Sequence, residues 1–111
     1  SVICPVRDDD ATMTSTSENA SQAARIAAMA QLDEAMVQVA LLRVNAGDQA
    51  PREVVAVDMH LSFIQPAAGP LVATAQVVGG GKTMVFCEAQ LRNAPGDVVA
   101  QAMGTYRAQN A

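Results

Sequence analysis

Aromatic residues, histidine and cysteine are scarce in this 111-residue chain, which has no Trp, one Tyr, two Phe, one His and two Cys. Cys4 and Cys87 form no CxxC pair, and one histidine adds too few ligands for a zinc site, so no metal is predicted. A secreted chain of this size would often carry more cysteines. Two reduced thiols in a cytoplasmic protein are therefore expected.

Basic residues are also few, with seven Lys and Arg against eleven Asp and Glu and a net charge of -4. Nucleic-acid affinity comes mainly from cations on phosphates and from aromatic platforms under bases, so no nucleic-acid partner is predicted. No apolar run approaches the roughly 20 residues of a membrane span, and the first residues lack the pattern of a signal peptide. No membrane partner is predicted either.

What the chain has is a supply of small apolar residues, since half of it is hydrophobic, mainly Ala, Val, Leu and Met. This length provides one domain with one core, here residues 1–111. Small side chains bury little area each, so a lone subunit would be modestly stable and an oligomer is favoured.

Local patterns predict one helix near the start of the chain. Residues 1–21 are predicted to form a short strand at Val2–Val6, kept at a sheet edge by Pro5, and then a polar loop. Residues 22–45 consist mostly of good helix formers without internal Gly or Pro, and Asn45-Ala46-Gly47 supplies a stop. The candidate N-caps are Ser17, Asn19 and Ser21.

Beyond the helix the hydrophobic period changes to two, which predicts strands. Four strands are predicted within residues 53–108, and their short connections favour an antiparallel meander packed on the helix, an α+β fold. Apolar residues expected on one face of the first strand are Val55, Val57, Met59, Leu61 and Phe63. Those expected on one face of the third strand are Thr83, Val85, Cys87, Ala89 and Leu91.

Asp33 is the anomaly of the helix. On a helical wheel it falls inside an apolar stripe, whereas Glu34 lies on a polar line with Gln31 and Gln38. An apolar environment raises a carboxyl pKa toward the range where a general acid or base works. The structural alternative is a rotated helix, with Asp33 at the margin or bonded to the backbone. The stripe is formed by Ile26, Met29, Ala30, Met36, Val37, Ala40 and Val44.

An ordered set of motifs resembles the hotdog-fold acyl-CoA thioesterases, in particular their phenylacetic-acid-degradation (PaaI-like) branch. The motifs are Leu32-Asp33-Glu34-Ala35-Met36 on the helix, the stretch Val57 to Ala67 ending in Phe-Ile-Gln-Pro-Ala, Gly69 to Ala75 with the turn closing in Gly81-Lys82, and Gly96 to Tyr106. The resemblance implies a hotdog fold, with Asp33 as catalytic base or nucleophile against a coenzyme A thioester. It also implies no other cofactor, and a homodimer or homotetramer.

In this family a His-Gly-Gly at the helix start contributes backbone N–H groups to the oxyanion site. The matching positions are Ala24, Arg25 and Ile26, with Asn19 as a loose candidate for the accompanying Asn. Either the helix begins differently here or the hydrolytic site is altered. The second possibility corresponds to a hotdog domain that binds an acyl-CoA-like ligand without hydrolysing it, or to an assembly module.

The remaining candidates are weaker. Gly79-Gly80-Gly81-Lys82-Thr83 lacks the full spacing of a nucleotide-binding loop and joins two strands, so it is predicted to be a hairpin turn. The resemblance offers coenzyme A phosphates as a ligand for its backbone amides and Lys82. His60 is interpreted as a surface or interface group and Cys87 as inert core. Tyr106 could position a hydroxyl, although packing is the commoner role.

Overall fold

A computed structural model describes residues 2–5, 17–47, 50–67 and 69–109 of the chain. Most of the loop predicted between the first strand and the helix lies outside these residues. The elements, in chain order, are β1 (Val2–Pro5), α1 (Ser17–Val44), β2 (Val54–Phe63), β3 (Leu71–Gly80), β4 (Met84–Asn93) and β5 (Val98–Ala108).

The helix was predicted over 22–45 and spans Ser17–Val44, so its predicted start is wrong by five residues. Nothing between residues 17 and 22 is Gly or Pro, so the polar segment continues the helix instead of preceding it. The predicted stop is confirmed, since Gly47, with a φ of 115°, follows the last turn. The described residues contain no helix long and apolar enough to cross a membrane.

The sheet is antiparallel with five strands in the order β1-β3-β4-β5-β2. The four predicted strands and the short edge strand at the start are confirmed. The simple meander is wrong, because β2 pairs with β5 and not with β3. Residues 64–70 can span roughly 23 Å when extended, enough to cross three strand spacings of about 4.8 Å.

One face of the sheet packs on α1 and forms the core, which confirms the α+β architecture. The buried helix residues are centred about a third of a turn from the predicted stripe, so the predicted wheel face is only partly right: Met36, Ala40 and Val44 are buried as predicted. Ile26 and Met29, assigned to the stripe, are 57% and 40% exposed. Gln31, expected on the polar line, is also buried, at 6% exposure. The buried face comprises Ala27, Ala28, Gln31, Leu32, Ala35, Met36, Val39, Ala40 and Val44.

A β-bulge in β2 changes which side chains face the core. The register with β5 shifts between Ala56 and Asp58, so Val57 is the extra residue. Val55 therefore pairs with Arg107, on the outer face, while Met59 and Leu61 remain on the core face. The strict alternation predicted through Val55 and Val57 is wrong, because a bulge reverses the facing of the residues beyond it.

In β4 the predicted alternation is confirmed for Val85, Cys87, Ala89 and Leu91, all of which are buried. Thr83 is the exception, since it precedes the strand. The turn itself is also displaced, because Gly79 and Gly80 belong to β3.

Candidate functional site

Asp33 lies at the margin of the helix face that packs on the sheet, where its side chain is half-buried. Its Oδ1 accepts a hydrogen bond of 2.6 Å from the hydroxyl of Tyr106 on β5. The structure is therefore closer to the alternative in which Asp33 lies at the margin of the helix face than to a position at its centre. The hydrogen-bond partner of Asp33 is a side chain and not the backbone. A short bond from a phenol to a carboxylate is among the stronger hydrogen bonds in proteins.

Tyr106 is fully buried and is the only tyrosine in the sequence. Burial is the main cause that raises the pKa of this phenol well above its ordinary value, and the hydrogen bond and the charge of Asp33 raise it further. The hydroxyl therefore stays protonated and donates to Asp33 over the whole physiological range. One oxygen of the Asp33 carboxylate is held in this way, in a side chain that is only half-buried.

Gly104 makes room for this arrangement on β5. A Cβ at this position would lie 3.0 Å from Cε2 of Tyr106 and 3.2 Å from Cε of Met36. Because Met36 is one helical turn from Asp33, the glycine lets helix and strand approach closely beside the carboxylate. Sequence reasoning named a positioned hydroxyl for Tyr106 but ranked it below packing, and it did not consider Gly104. In the sequence, Tyr106 and Gly104 fall on the same face of the predicted fourth strand as Ala100 and Ala102. That alternation could have indicated that both residues face the helix.

Cys87 is a buried free thiol on the core face of β4, which confirms its predicted position. Its Sγ approaches the carbonyl oxygen of Met36 at 3.8 Å. Burial raises the pKa of this thiol to about 11. Since the thiolate is the reactive form, Cys87 is poorly suited to nucleophilic chemistry at neutral pH.

The predicted oxyanion positions do not lie at the helix start. Ala24 and Arg25 are inside α1, where backbone N–H groups bond to carbonyls four residues earlier. The helix amides without an intrahelical partner are those of residues 17–20. Asn19 is within this first turn. The structure therefore corrects the location of Ala24 and Arg25, and any binding role for them and for Asn19 stays a prediction.

The turn of Gly81, Lys82 and Thr83 lies at the opposite end of the helix. The guanidinium of Arg52 donates to the carbonyl oxygens of Lys82 (2.9 Å) and of Val44, the last helical residue (2.6 Å). Asp33 is eleven residues earlier, about 16 Å along the helix axis. Within one subunit the structure therefore does not bring Lys82 and Asp33 together.

The backbone groups of this turn are mostly engaged. The N–H of Gly81 donates to the carbonyl of Met84 at 2.8 Å, and the carbonyl of Thr83 accepts from Ala108 at 2.8 Å. The amide of Gly81 is thus already used, and the side chains of Lys82 and Thr83 are exposed. Their predicted role is otherwise untested.

Residues of the described strands line three shallow depressions on the outer face of the sheet, of about 280, 300 and 380 Å³. His60 lines two of them, with Met103, and Asp33 lines none of the three. His60 is exposed on this face, in agreement with its interpretation as a surface or interface group. The described residues include no group of three or more His, Cys, Asp or Glu arranged to hold a metal ion.

A single helix packed across an antiparallel sheet, with a carboxylate on the helix flank, is the arrangement that the family resemblance implies. The model of the thioesterase superfamily matches residues 27–100, more than half of the chain. The chain belongs to the thioesterase superfamily. The match includes Asp33 and all of α1 from residue 27 onward, as well as β2, β3 and β4. The search of curated proteins gave no match.

Solved structures agree with this hotdog assignment. One is a Bacillus halodurans protein solved with CoA, which is 25% identical in sequence. The match covers 70% of this chain and 53% of that protein, with a TM-score of 0.60. A phenylacetic acid degradation-related protein from Ralstonia eutropha is 27% identical in sequence. The match covers 73% of this chain and 58% of that protein, with a TM-score of 0.60.

The PaaI protein from the phenylacetic acid degradation operon of E. coli is also similar. It is 27% identical in sequence, and the match covers 54% of this chain and 45% of the PaaI protein, with a TM-score of 0.51. These similarities support a PaaI-like hotdog thioesterase fold. The chain spans little more than half the length of the Bacillus halodurans protein.

Proposed function

We propose that this thioesterase-superfamily chain hydrolyses an acyl-CoA thioester with Asp33 as the general base. The observation that carries the proposal is the hydrogen bond that fixes the Asp33 carboxylate to the buried hydroxyl of Tyr106. It holds a half-buried carboxylate on the helix at the position that the family resemblance assigns to the catalytic acid. A fixed base lowers the barrier to proton transfer because its orientation is set before the reaction.

The chemistry needs a water molecule and no further cofactor. Oδ2 of Asp33 accepts a proton from the water, and the hydroxide oxygen attacks the thioester carbonyl. The tetrahedral intermediate expels the thiolate of coenzyme A, which receives the proton from Asp33. The products are a carboxylic acid and a free thiol. Tyr106 contributes by keeping Oδ1 occupied, so that Oδ2 acts on the water.

The proposal includes a second copy of the chain. Asp33 lies beside exposed apolar side chains of α1, Ile26 and Met29, which one subunit leaves uncovered. A homodimer, or a homotetramer of such dimers, would cover this surface and enclose the thioester between subunits. Enclosure matters because a water-excluded site strengthens the electrostatic interactions that stabilise the intermediate. We also propose the cytoplasm, where an acyl-CoA substrate is available.

One observation favours a second function, ligand binding without hydrolysis. The amides of Ala24, Arg25 and Ile26 bond within α1, so they cannot stabilise an oxyanion as the helix start does in the resemblance. Losing an oxyanion donor typically costs about 10²–10³-fold in turnover. If the free amides of residues 17–20 do not replace them, the site binds a thioester and leaves it intact.

Asp33→Asn separates the two functions. Asn keeps an oxygen acceptor for Tyr106, so the fold should survive, while loss of a general base should lower turnover by roughly 10²–10⁴-fold. Glu34→Gln is the matched control, because Glu34 is the exposed neighbouring carboxylate on the same helix.

The assay combines release of free thiol from a panel of acyl-CoA substrates with binding of the same substrates by calorimetry. Hydrolysis lost only in Asp33→Asn supports catalysis. Equal hydrolysis in wild type and Asp33→Asn would rule out Asp33 as the base. Tight binding with no thiol release from wild type would instead establish the binding function.

A further inference from the structure

Three apolar side chains of β2 lie on the helix side of the sheet without being fully covered by α1. Their partners on β5 are buried in the core, and partners across a ladder point to the same face. Met59 and Leu61 are half-buried, whereas Phe63, at the end of the strand, is 39% exposed. These three residues form an apolar ledge beside the helix. The pairs are Met59 with Gly104, Leu61 with Ala102 and Phe63 with Ala100.

The flank of α1 that carries Asp33 lies on the side of this ledge. Asp33 binds the hydroxyl of Tyr106, and Met36 lies beside Gly104, so both helix residues contact β5, the strand next to β2. Met29 is one turn before Asp33 on the same line of the helix and is 40% exposed. The flank and the ledge are therefore the two sides of a groove above β5.

The helix ends at the same end of the sheet as β5. The guanidinium of Arg52 binds the carbonyl oxygens of Val44, at the end of α1, and of Lys82 in the turn. The carbonyl of Thr83, in the same turn, accepts from the N–H of Ala108, the last residue of β5. α1 and β5 thus run in the same general direction. The earlier part of the helix lies over the start of β5, beside the end of β2.

This direction places Met29 at the level of Phe63. Met29 is about 10 Å before Met36 along the helix axis. Ala100, the partner of Phe63, is about 13 Å before Gly104 along β5. Because Met36 lies beside Gly104, the two distances bring Met29 and Phe63 to similar positions on the two sides of the groove.

Charge in the groove is confined to Asp33 among the described side chains of its two sides. The others are Met29 and Val37 on the helix and Met59, Leu61 and Phe63 on the ledge. A second carboxylate here would be repelled by Asp33, and these sides offer it no cation. An apolar group, in contrast, removes exposed Met29 and Phe63 surface from water, which is favourable. The groove therefore suits an uncharged, apolar ligand.

We propose that the acyl group of the thioester lies between Met29 and Phe63, and that these two residues restrict the substrates to uncharged, apolar acyl groups. This inference rests on the proposed function and adds the class of acyl group. With the thioester carbonyl at Asp33, the acyl group reaches Met29 one helical turn away. Because methionine adapts its shape, straight, branched and aromatic groups should be accepted. An acyl group that ends in a carboxylate should be rejected.

Binding of thioethers tests this class without hydrolysis. S-hexyl-CoA and S-(5-carboxypentyl)-CoA have chains of equal length and differ in the terminal carboxylate, and S-ethyl-CoA is the short reference. Each buried methylene adds up to about fourfold in affinity. In calorimetry on the wild-type chain, S-hexyl-CoA should therefore bind at least about tenfold more tightly than either of the other two.

A cation placed in the groove tests the location. Phe63→Lys should bind S-(5-carboxypentyl)-CoA about fivefold more tightly than wild type, the upper end for a partly exposed ion pair, and S-hexyl-CoA more weakly. Phe86→Lys is the matched control, because Phe86 is the other phenylalanine and is 45% exposed on the outer face. Met29→Lys should give the same change from the helix side, with the 67% exposed Leu42→Lys as its control.

Equal affinity of wild type for S-hexyl-CoA and S-(5-carboxypentyl)-CoA, or no gain over S-ethyl-CoA, would overturn the class. A change in Phe86→Lys as large as in Phe63→Lys, or no change in both Phe63→Lys and Met29→Lys, would overturn the location. The thioethers release no thiol, so the two proposals fail separately. A wild type that prefers S-hexyl-CoA but leaves acyl-CoA intact refutes the hydrolysis alone, and one that hydrolyses dicarboxylic acyl-CoA as fast as hexanoyl-CoA refutes this inference alone.

Discussion

Tyr106→Phe removes the hydroxyl that binds Asp33 and leaves the ring that fills the core. The bond is 2.6 Å long and joins a fully buried phenol to a half-buried carboxylate. A hydrogen bond to a charged group contributes about 1.5–3 kcal/mol to stability. Because water reaches the exposed side of Asp33 and replaces part of the bond, we expect the lower end, about 1.5 kcal/mol of unfolding free energy.

The same bond should affect hydrolysis in a way that a purely structural role would not. Without the donor, the Asp33 carboxylate loses the contact that sets its orientation, so kcat should fall about tenfold, the equivalent of about 1.4 kcal/mol. KM should change little, since Tyr106 is buried behind Asp33 and does not contact the substrate.

The assay is the dependence of thiol release on substrate concentration, which gives kcat and KM, with chemical unfolding measured in parallel. Thr105→Val is the matched control, because it removes the hydroxyl of the adjacent residue of β5 on the outer face. A thermodynamic cycle of Tyr106→Phe and Asp33→Ala should give a coupling of about 1 kcal/mol, typical of residues in contact. A lower stability with an unchanged kcat would refute the positioning role.

Two further predictions concern the same region. Gly104→Ala places a methyl group 3.0 Å from the Tyr106 ring, so thermal unfolding should show about 1–3 kcal/mol of destabilisation. Gly81→Ala is the control, because a methyl group there meets no atom within 4 Å and should be tolerated. Urea unfolding at rising pH should show stability decreasing from about pH 9. Burial raises the pKa of Cys87 from 9.0 to about 11 and also raises the pKa of Tyr106. Both groups therefore ionise more readily in the unfolded chain, which favours unfolding as the pH rises. Cys87→Ala should flatten the first part of this decrease and Tyr106→Phe the later part; a profile that neither variant changes would contradict the assignment.

The parts of the fold that depend on local pattern could be predicted from the sequence. The helix composition, the stop before Gly47 and the period-two segments lead to one helix and four long strands, and the short strand at Pro5 lies at an edge as expected. What failed depended on tertiary choices. Two features have no local signal in the sequence: the position of β2 beside β5 and the bulge at Val57. Both depend on how strands that are distant in the sequence pair with each other.

The candidate site was predicted in its central residue and not in its surroundings. Asp33 stands out on a wheel, but a wheel cannot say which side of an Ala-rich helix meets the sheet when Ala28 and Ala35 occupy one flank and Ile26 and Met29 another. The partner Tyr106 is 73 residues away in the sequence. Contacts of that separation are determined by the register of the strands, which pattern alone does not provide.

The strand order has a consequence for how the chain folds. β3, β4 and β5 are joined by tight connections and pair in succession, whereas β1 joins the sheet through pairs such as Val2 with Ala75, and β2 through pairs such as Val54 with Ala108. Local pairs form first, because closing a long loop costs more entropy before any contact is gained. We expect the three-stranded centre to carry the folding nucleus and the two edges to add late. Destabilising changes in β1 or β2 should then speed unfolding and leave the refolding rate nearly unchanged.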